Sequence, residues 1–96
     1  MLFFAPSDSH IIAIECTKKD LDINGKLSKF SRRVKELREL LPTFTVISLV
    51  CTPLSKAMIA KSDNQKADNE QIGVVAAEEI QAILQWQGKI KILRKF

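Results

Sequence analysis

HIIAIECTKKDLDINGKLSKFSRRVKELRELLPTFTVISLVC, residues 10–51, changes its hydrophobic period twice, and those changes decide the fold. In its opening part Ile12, Ile14 and Cys16 alternate with Ile11, Ala13, Glu15 and Thr17, and both sets are apolar as far as Glu15. Side chains alternate between the faces of a strand, so this pattern predicts an interior strand covered on both sides. From Lys26 onward Leu27, Phe30, Val34, Leu37 and Leu41 recur at steps of three and four, the stripe of an amphipathic helix. Asn24 or Asp22 is its cap and Pro42 its stop. FTVISLVC, residues 44–51, is a continuous, largely β-branched run of the kind found in buried parallel strands. Strand, helix and strand form a βαβ crossover, which is right-handed in nearly all known cases.

The pattern extends in both directions. LFFA (2–5) and HIIAIECT (10–17) flank the turn-forming PSDS, which predicts an antiparallel hairpin with a four-to-five-residue loop. Downstream, TPLSKAMIAKSDNQKADNEQ (52–71) is expected to be helical from a Ser55 cap through Lys61 and then to become a polar loop. IGVVA (72–76) is a short strand. AEEIQAILQWQ (77–87) is a final helix with Glu78 and Glu79 in its first turn, Ile80, Ile83 and Leu84 toward the core, and Gly88 at its end. The order ββαβαβα predicts an α/β three-layer sandwich with a mixed sheet, an N-terminal antiparallel hairpin followed by parallel βαβ units. Residues 1–88 form one domain and 89–96 a basic tail.

Composition limits the function classes. A chain of 96 residues, 46% hydrophobic and 27% charged, has the balance of one small globular domain. Its longest apolar run, Phe44–Cys51, is far short of a membrane span, and MLFFAPSDS lacks the basic start of a secretory signal. A cytoplasmic, non-membrane protein is expected. Gly25, Gly73 and Gly88 are the only glycines, so neither a P-loop nor a dinucleotide fingerprint can be built. Cys16 and Cys51 lie in apolar runs, which fits buried reduced thiols. His10 would lie about 20 Å from Cys16 along one strand, too far for a nucleophile and base pair.

Charge is unevenly placed. Of 15 basic residues, four fall in KIKILRKF (89–96) with no acid among them, so residues 1–88 hold 11 of each sign. Within that neutral body, residues 25–40 carry Lys26, Lys29, Arg32, Arg33, Lys35 and Arg38 against Glu36 and Glu39. One basic helix suggests a polyanionic partner; a solvated helix face is the plainer reading.

Two candidate metal sites overlap at residues 11–26. Asp20, Asp22, Asn24 and Gly25 have calcium-loop spacing, but the position of the bidentate glutamate is Ser31, and the loop follows a strand. A helix-capping connection, with Gly25 permitting the turn, explains the same residues. Glu15, by contrast, ends an apolar strand. An ionised carboxylate there is costly unless paired, hydrogen-bonded or metal-bound, and the carboxyl ends of parallel strands are where open α/β sheets bind ligands. An ion pair with Lys18, Lys19 or a helix lysine competes with a functional role.

A hairpin whose second strand ends IIAIECT, a basic helix, an apolar strand, a second helix and then GVVAAEEIQAIL together resemble the C-terminal two-thirds of the PD-(D/E)xK restriction-endonuclease-like fold, over about residues 2–86. The resemblance lies in the order of elements; a glutamate at a strand end is in itself a common feature. It implies that Glu15 takes the D/E position and Thr17 the lysine position, giving E-x-T for E-x-K. It further implies a carboxylate-held Mg²⁺ and a cation that polarises water or offsets phosphate charge. Glu15 with Asp20 or Asp22 would hold the metal, and Lys18 or Lys29 would be the catalytic cation. The family's first aspartate would precede Leu2, and its opening helix is likewise absent, so the chain is expected to be part of a longer protein or a reduced member. Asp8, the only acid before Glu15, is placed at the wrong end of the hairpin.

Two functions follow as expectations. One is a nuclease-like domain that binds DNA or RNA through Lys26, Lys29 and Arg33 and cleaves phosphodiesters with Mg²⁺ if its metal site is complete. The other is a non-catalytic, homodimeric assembly module on the same fold, with Trp86 or the tail's Ile90, Ile92 and Phe96 as contacts.

Overall fold

The structure is a computed structural model, and it describes residues 1–82 and 85. The elements run β1 (Leu2–Ser7), β2 (His10–Cys16), α1 (Lys26–Leu40), β3 (Thr45–Cys51), α2 (Lys61–Asn69) and β4 (Gly73–Val75), and residues 77–82 begin a further helix. Short 3₁₀ turns at Ile23–Gly25 and Lys56–Met58 lead into α1 and α2. The strands form one sheet in the order β1-β2-β3-β4. β1 is antiparallel to β2, and the remaining pairs are parallel. This is the mixed α/β sheet expected. No helix among the described residues is long and apolar enough to cross a membrane.

α1 forms where its stripe predicts. Leu27, Phe30 and Val34 are buried, with Leu37 and Leu41 packed at the margin of the same core. They meet Ile11 and Ala13 of β2, Val46 and Val50 of β3, and Ala67 of α2 in a single cluster. Both crossovers step the same way across the sheet, so crossovers of one hand place both helices on one face.

The opposite face is covered only in part by the described residues, with Ile80 of the last helix beside Cys16 and Cys51. Ile12 and Ile14 are half-buried there, while Leu2 and Ile47 remain 70% and 42% exposed. β2 is interior within the sheet, but α1 and α2 cover only one of its sides. The third layer is not completed by the described residues.

Two local expectations also need correction. β1 continues through Pro6 and Ser7, so the hairpin closes tightly at Asp8 and Ser9, with a shift in pairing between Phe4 and Ser7. A proline that cannot donate to the ladder is tolerated at such an irregularity on an edge strand. The second correction concerns residues 52–71. Ser55 opens only a 3₁₀ turn, and the α-helix is in the polar half, Lys61–Asn69, where a loop was expected. Its end is a Schellman turn: Ile72 N–H reaches the Ala67 carbonyl (2.9 Å) and Gln71 N–H the Asp68 carbonyl (3.0 Å). Ile72 and Ala67, both buried, supply the apolar contact that accompanies this motif.

The start of the last helix is tied down as its acids suggest. Glu79 accepts the Ala76 N–H at 3.0 Å, and Glu78 accepts the Lys56 N–H. The Lys56 ammonium lies 2.6 Å from the Glu79 carboxylate. Ile80 is half-buried. Ile83, Leu84, Trp86, Gly88 and the tail fall outside the described residues.

Candidate functional site

The connection after β2 sets the geometry of the site. Thr17 closes the strand: its N–H donates to the Cys51 carbonyl at 2.9 Å and its hydroxyl to the Lys19 carbonyl at 3.2 Å. The chain then turns through Asn24 and Gly25, both left-handed at φ 55° and 70°. Asparagine and glycine are the residues that adopt this conformation most readily, which is why this sequence can turn here. Asp22 caps α1, its Oδ1 accepting the Leu27 N–H at 3.0 Å, while Oδ2 receives the Lys66 ammonium at 2.9 Å. Partial burial pushes the Asp22 carboxyl up, but the Lys66 hydrogen bond, the Leu27 N–H and the Lys66 charge outweigh it and hold the group below the usual carboxylate range. Gly25 occupies the N-cap position itself, and of the two candidates Asp22 is the one whose side chain serves the first turn.

Glu15 points from β2 toward the helix-covered side and is 15% exposed. Lys26 Nζ lies 3.8 Å from one carboxylate oxygen, Arg33 Nη1 lies 3.9 Å from the other, and the Met1 nitrogen is 3.9 Å away. These separations exceed hydrogen-bond length, so the contacts are electrostatic rather than covalent-like clamps. Lys26 donates its hydrogen bond to the Cys16 carbonyl instead. Glu15, Lys26, Lys29, Arg33, Ile23 and Asn24 line an open cleft of about 360 Å³. The compensation Glu15 requires therefore comes from the helix, one of the expected sources, and not from Lys18 or Lys19.

The structure thus brings together Glu15, Lys26, Lys29 and Arg33. It separates the others. Asp22 is engaged with Lys66 and the helix N-terminus, Asp20 is exposed, and Asp8 sits in the hairpin turn at the far end of β2. Lys18 lines one pocket with Cys16 and Cys51 and, with Lys19, a second that adjoins the cleft at Ile23 and Lys26, but neither lysine lines the Glu15 cleft itself, and the Thr17 hydroxyl is committed to the backbone. His10 bonds Ser7 and Ser9 at 2.9 and 3.0 Å, beside that same turn.

The donor set does not fit Mg²⁺. No group of three or more His, Cys, Asp or Glu side chains that could hold a metal comes together among the described residues. The cleft offers a single carboxylate facing three cationic side chains. A divalent ion needs an excess of oxygen anions around it, whereas this arrangement leaves an excess of positive charge. Its chemistry is that of an anion receptor.

No family model, curated protein or solved structure matches this chain.

The N-terminal turn of α1 carries a further signal. It has no acidic residue, and it places Lys26 and Lys29 where the helix dipole is already positive. That disfavours the helix locally, and local rules tend to be broken where function requires it. Sequence reasoning offered a helix lysine among several partners for Glu15, but not which one, nor that Arg33 stands on its other side. Glu15 is more than ten positions earlier, and only the strand register shows which side it faces. The pairing of Cys16 with Cys51 was also missed. Both end strands expected to be parallel neighbours, and counting back from the strand ends would have found it. Cys16 is exposed rather than buried, a correction that follows from its place at the end of β2 on the face opposite α1 and α2.

Proposed function

We propose that this domain binds nucleic acid through its phosphate backbone at the cleft formed by Lys26, Lys29 and Arg33, without a metal ion. The observation that supports this reading most is the clustering of three cationic side chains around one carboxylate, two of them, Lys26 and Lys29, in the first turn of α1. Phosphate groups would add the negative charge that the cleft lacks, and the α1 N-terminus favours anions in the same place. Glu15 holds the cations in position when no phosphate is present and opposes phosphate when it arrives. Contacts of this kind give affinity and orientation but little sequence choice. The Mg²⁺-dependent cleavage that the endonuclease resemblance implies lacks a fitting donor set among the described residues.

Salt-dependent binding of a labelled duplex and a labelled single strand tests this. Three phosphate contacts give a slope of log affinity against log salt of about −2 to −3, and each of Lys29→Ala and Arg33→Ala should make it shallower by about 1. Affinity independent of salt would overturn the reading.

A second reading, assembly with another copy of the chain, is favoured by one observation. β1 is an edge of the sheet and leaves Leu2, Phe3 and Phe4 exposed at 70%, 59% and 49%. An apolar edge strand is a template for strand addition.

A further inference from the structure

Cys16 and Cys51 are the two cysteines of the chain, and they end β2 and β3 directly opposite each other in the parallel register. Residues paired across a ladder point to the same side, so both thiols project onto the face that α1 and α2 leave uncovered. Neighbouring strands lie about 4.7–4.9 Å apart, inside the roughly 4.4–6.8 Å Cα separation that a disulfide spans. Cβ atoms of residues in register on parallel strands follow the same spacing of about 4.7–4.9 Å, just beyond the roughly 4.5 Å upper end for that bond. A bond between these residues can therefore close, but under strain. Cys16 is exposed and Cys51 half-buried, and with Thr17, Lys18, Thr52 and Ile80 they line a pocket of about 350 Å³. Burial and the adjacent Cys16 thiol push the Cys51 thiol up.

We propose that Cys16 and Cys51 form a reversible dithiol–disulfide pair that exchanges with a small-molecule disulfide of the glutathione type. The Cys16 thiolate attacks one sulfur of the oxidised reagent. That S–S bond breaks, a mixed disulfide forms on Cys16, and the first glutathione leaves as a thiolate that takes up the proton Cys16 released. Cys51 then loses its proton to solvent and attacks the Cys16 sulfur. The Cys16–Cys51 bond forms, and the second glutathione departs and is protonated. Two protein thiols are oxidised by two electrons while one glutathione disulfide is reduced to two thiols. Cys16 reacts first because it is accessible, and Cys51, half-buried, resolves because it faces the Cys16 sulfur directly across the ladder. Strain places the bond among labile rather than structural disulfides. The pair lies outside the phosphate cleft and does not depend on its function.

The full chain is exposed to oxidised glutathione, quenched in acid, alkylated and weighed intact. The expected result is a monomer that loses both alkylation sites together and carries no glutathione, and that regains both in reduced glutathione. Cys51→Ser should accumulate one glutathione on Cys16, and Cys16→Ser should react roughly tenfold more slowly. A wild-type protein that keeps a glutathione on Cys16 with Cys51 still alkylatable, that forms a disulfide-linked dimer, or that retains both free thiols would overturn the proposal.

Discussion

Asp22 and Glu15 lie seven positions apart, and their surroundings give them opposite tasks. Asp22 is held by one backbone N–H and one ammonium at 3.0 and 2.9 Å, so its charge stabilises the fold. Replacing it with alanine removes the cap and should cost about 1 kcal/mol, read as a lower urea midpoint at neutral pH. Its folded carboxyl lies below the unfolded value of about 3.9, so its contribution is complete above that pH and disappears as pH falls through the lower folded value. The difference in urea midpoint between wild type and Asp22→Asn should therefore shrink steadily below about pH 4. A constant gap from pH 7 to pH 2.5 would show that the carboxylate charge is not what matters. Much of this was legible in the sequence, because Asx residues followed by glycine before a helical stripe are a capping pattern. Lys66, 44 residues away from Asp22, was not legible, since nothing local points to it.

At the scale of elements, α1 and α2 show why legibility varied. α1 was clear because five apolar residues hold one face over its whole length. Phe30 is the largest side chain fully buried there, and Phe30→Ala should cost about 3–5 kcal/mol, enough to abolish cooperative thermal unfolding in a domain this small. α2 was hidden for two reasons. Only Ala67 of its nine residues is buried, so it has almost no stripe, and its stop residue is Gln71 instead of glycine. Gln71 adopts φ 58°, the left-handed position that glycine usually fills at the end of a Schellman turn. Gln71→Gly should therefore raise the urea midpoint, by up to about 1 kcal/mol in stability. A decrease would mean that side-chain contacts of Gln71 outweigh the backbone strain.

For the whole molecule, the strands and the first crossover followed from hydrophobic period alone. That both helices share one face depends on strand order, which no local pattern encodes. The face that α1 and α2 leave open, and β1's place at one end of the described strands, follow from that order. If copies associate through β1, Phe4→Lys should convert a dimer to a monomer in light scattering, while melting within a few degrees of wild type. A wild-type monomer across the micromolar range would remove the assembly reading. The same topology places Glu15 beneath Lys26 and Arg33, and here the two readings of the site diverge. If Glu15 ligates metal, its loss weakens the site; if it competes with phosphate, its loss strengthens it. The decisive measurement is the affinity of wild type and Glu15→Gln for a labelled DNA duplex at fixed salt, each in EDTA and in Mg²⁺. The expected result is binding that survives EDTA and tightens about fivefold in Glu15→Gln, since one opposing charge near the surface is worth about 1 kcal/mol. Binding that requires Mg²⁺, or that weakens when Glu15 is neutralised, would contradict a metal-free phosphate cleft.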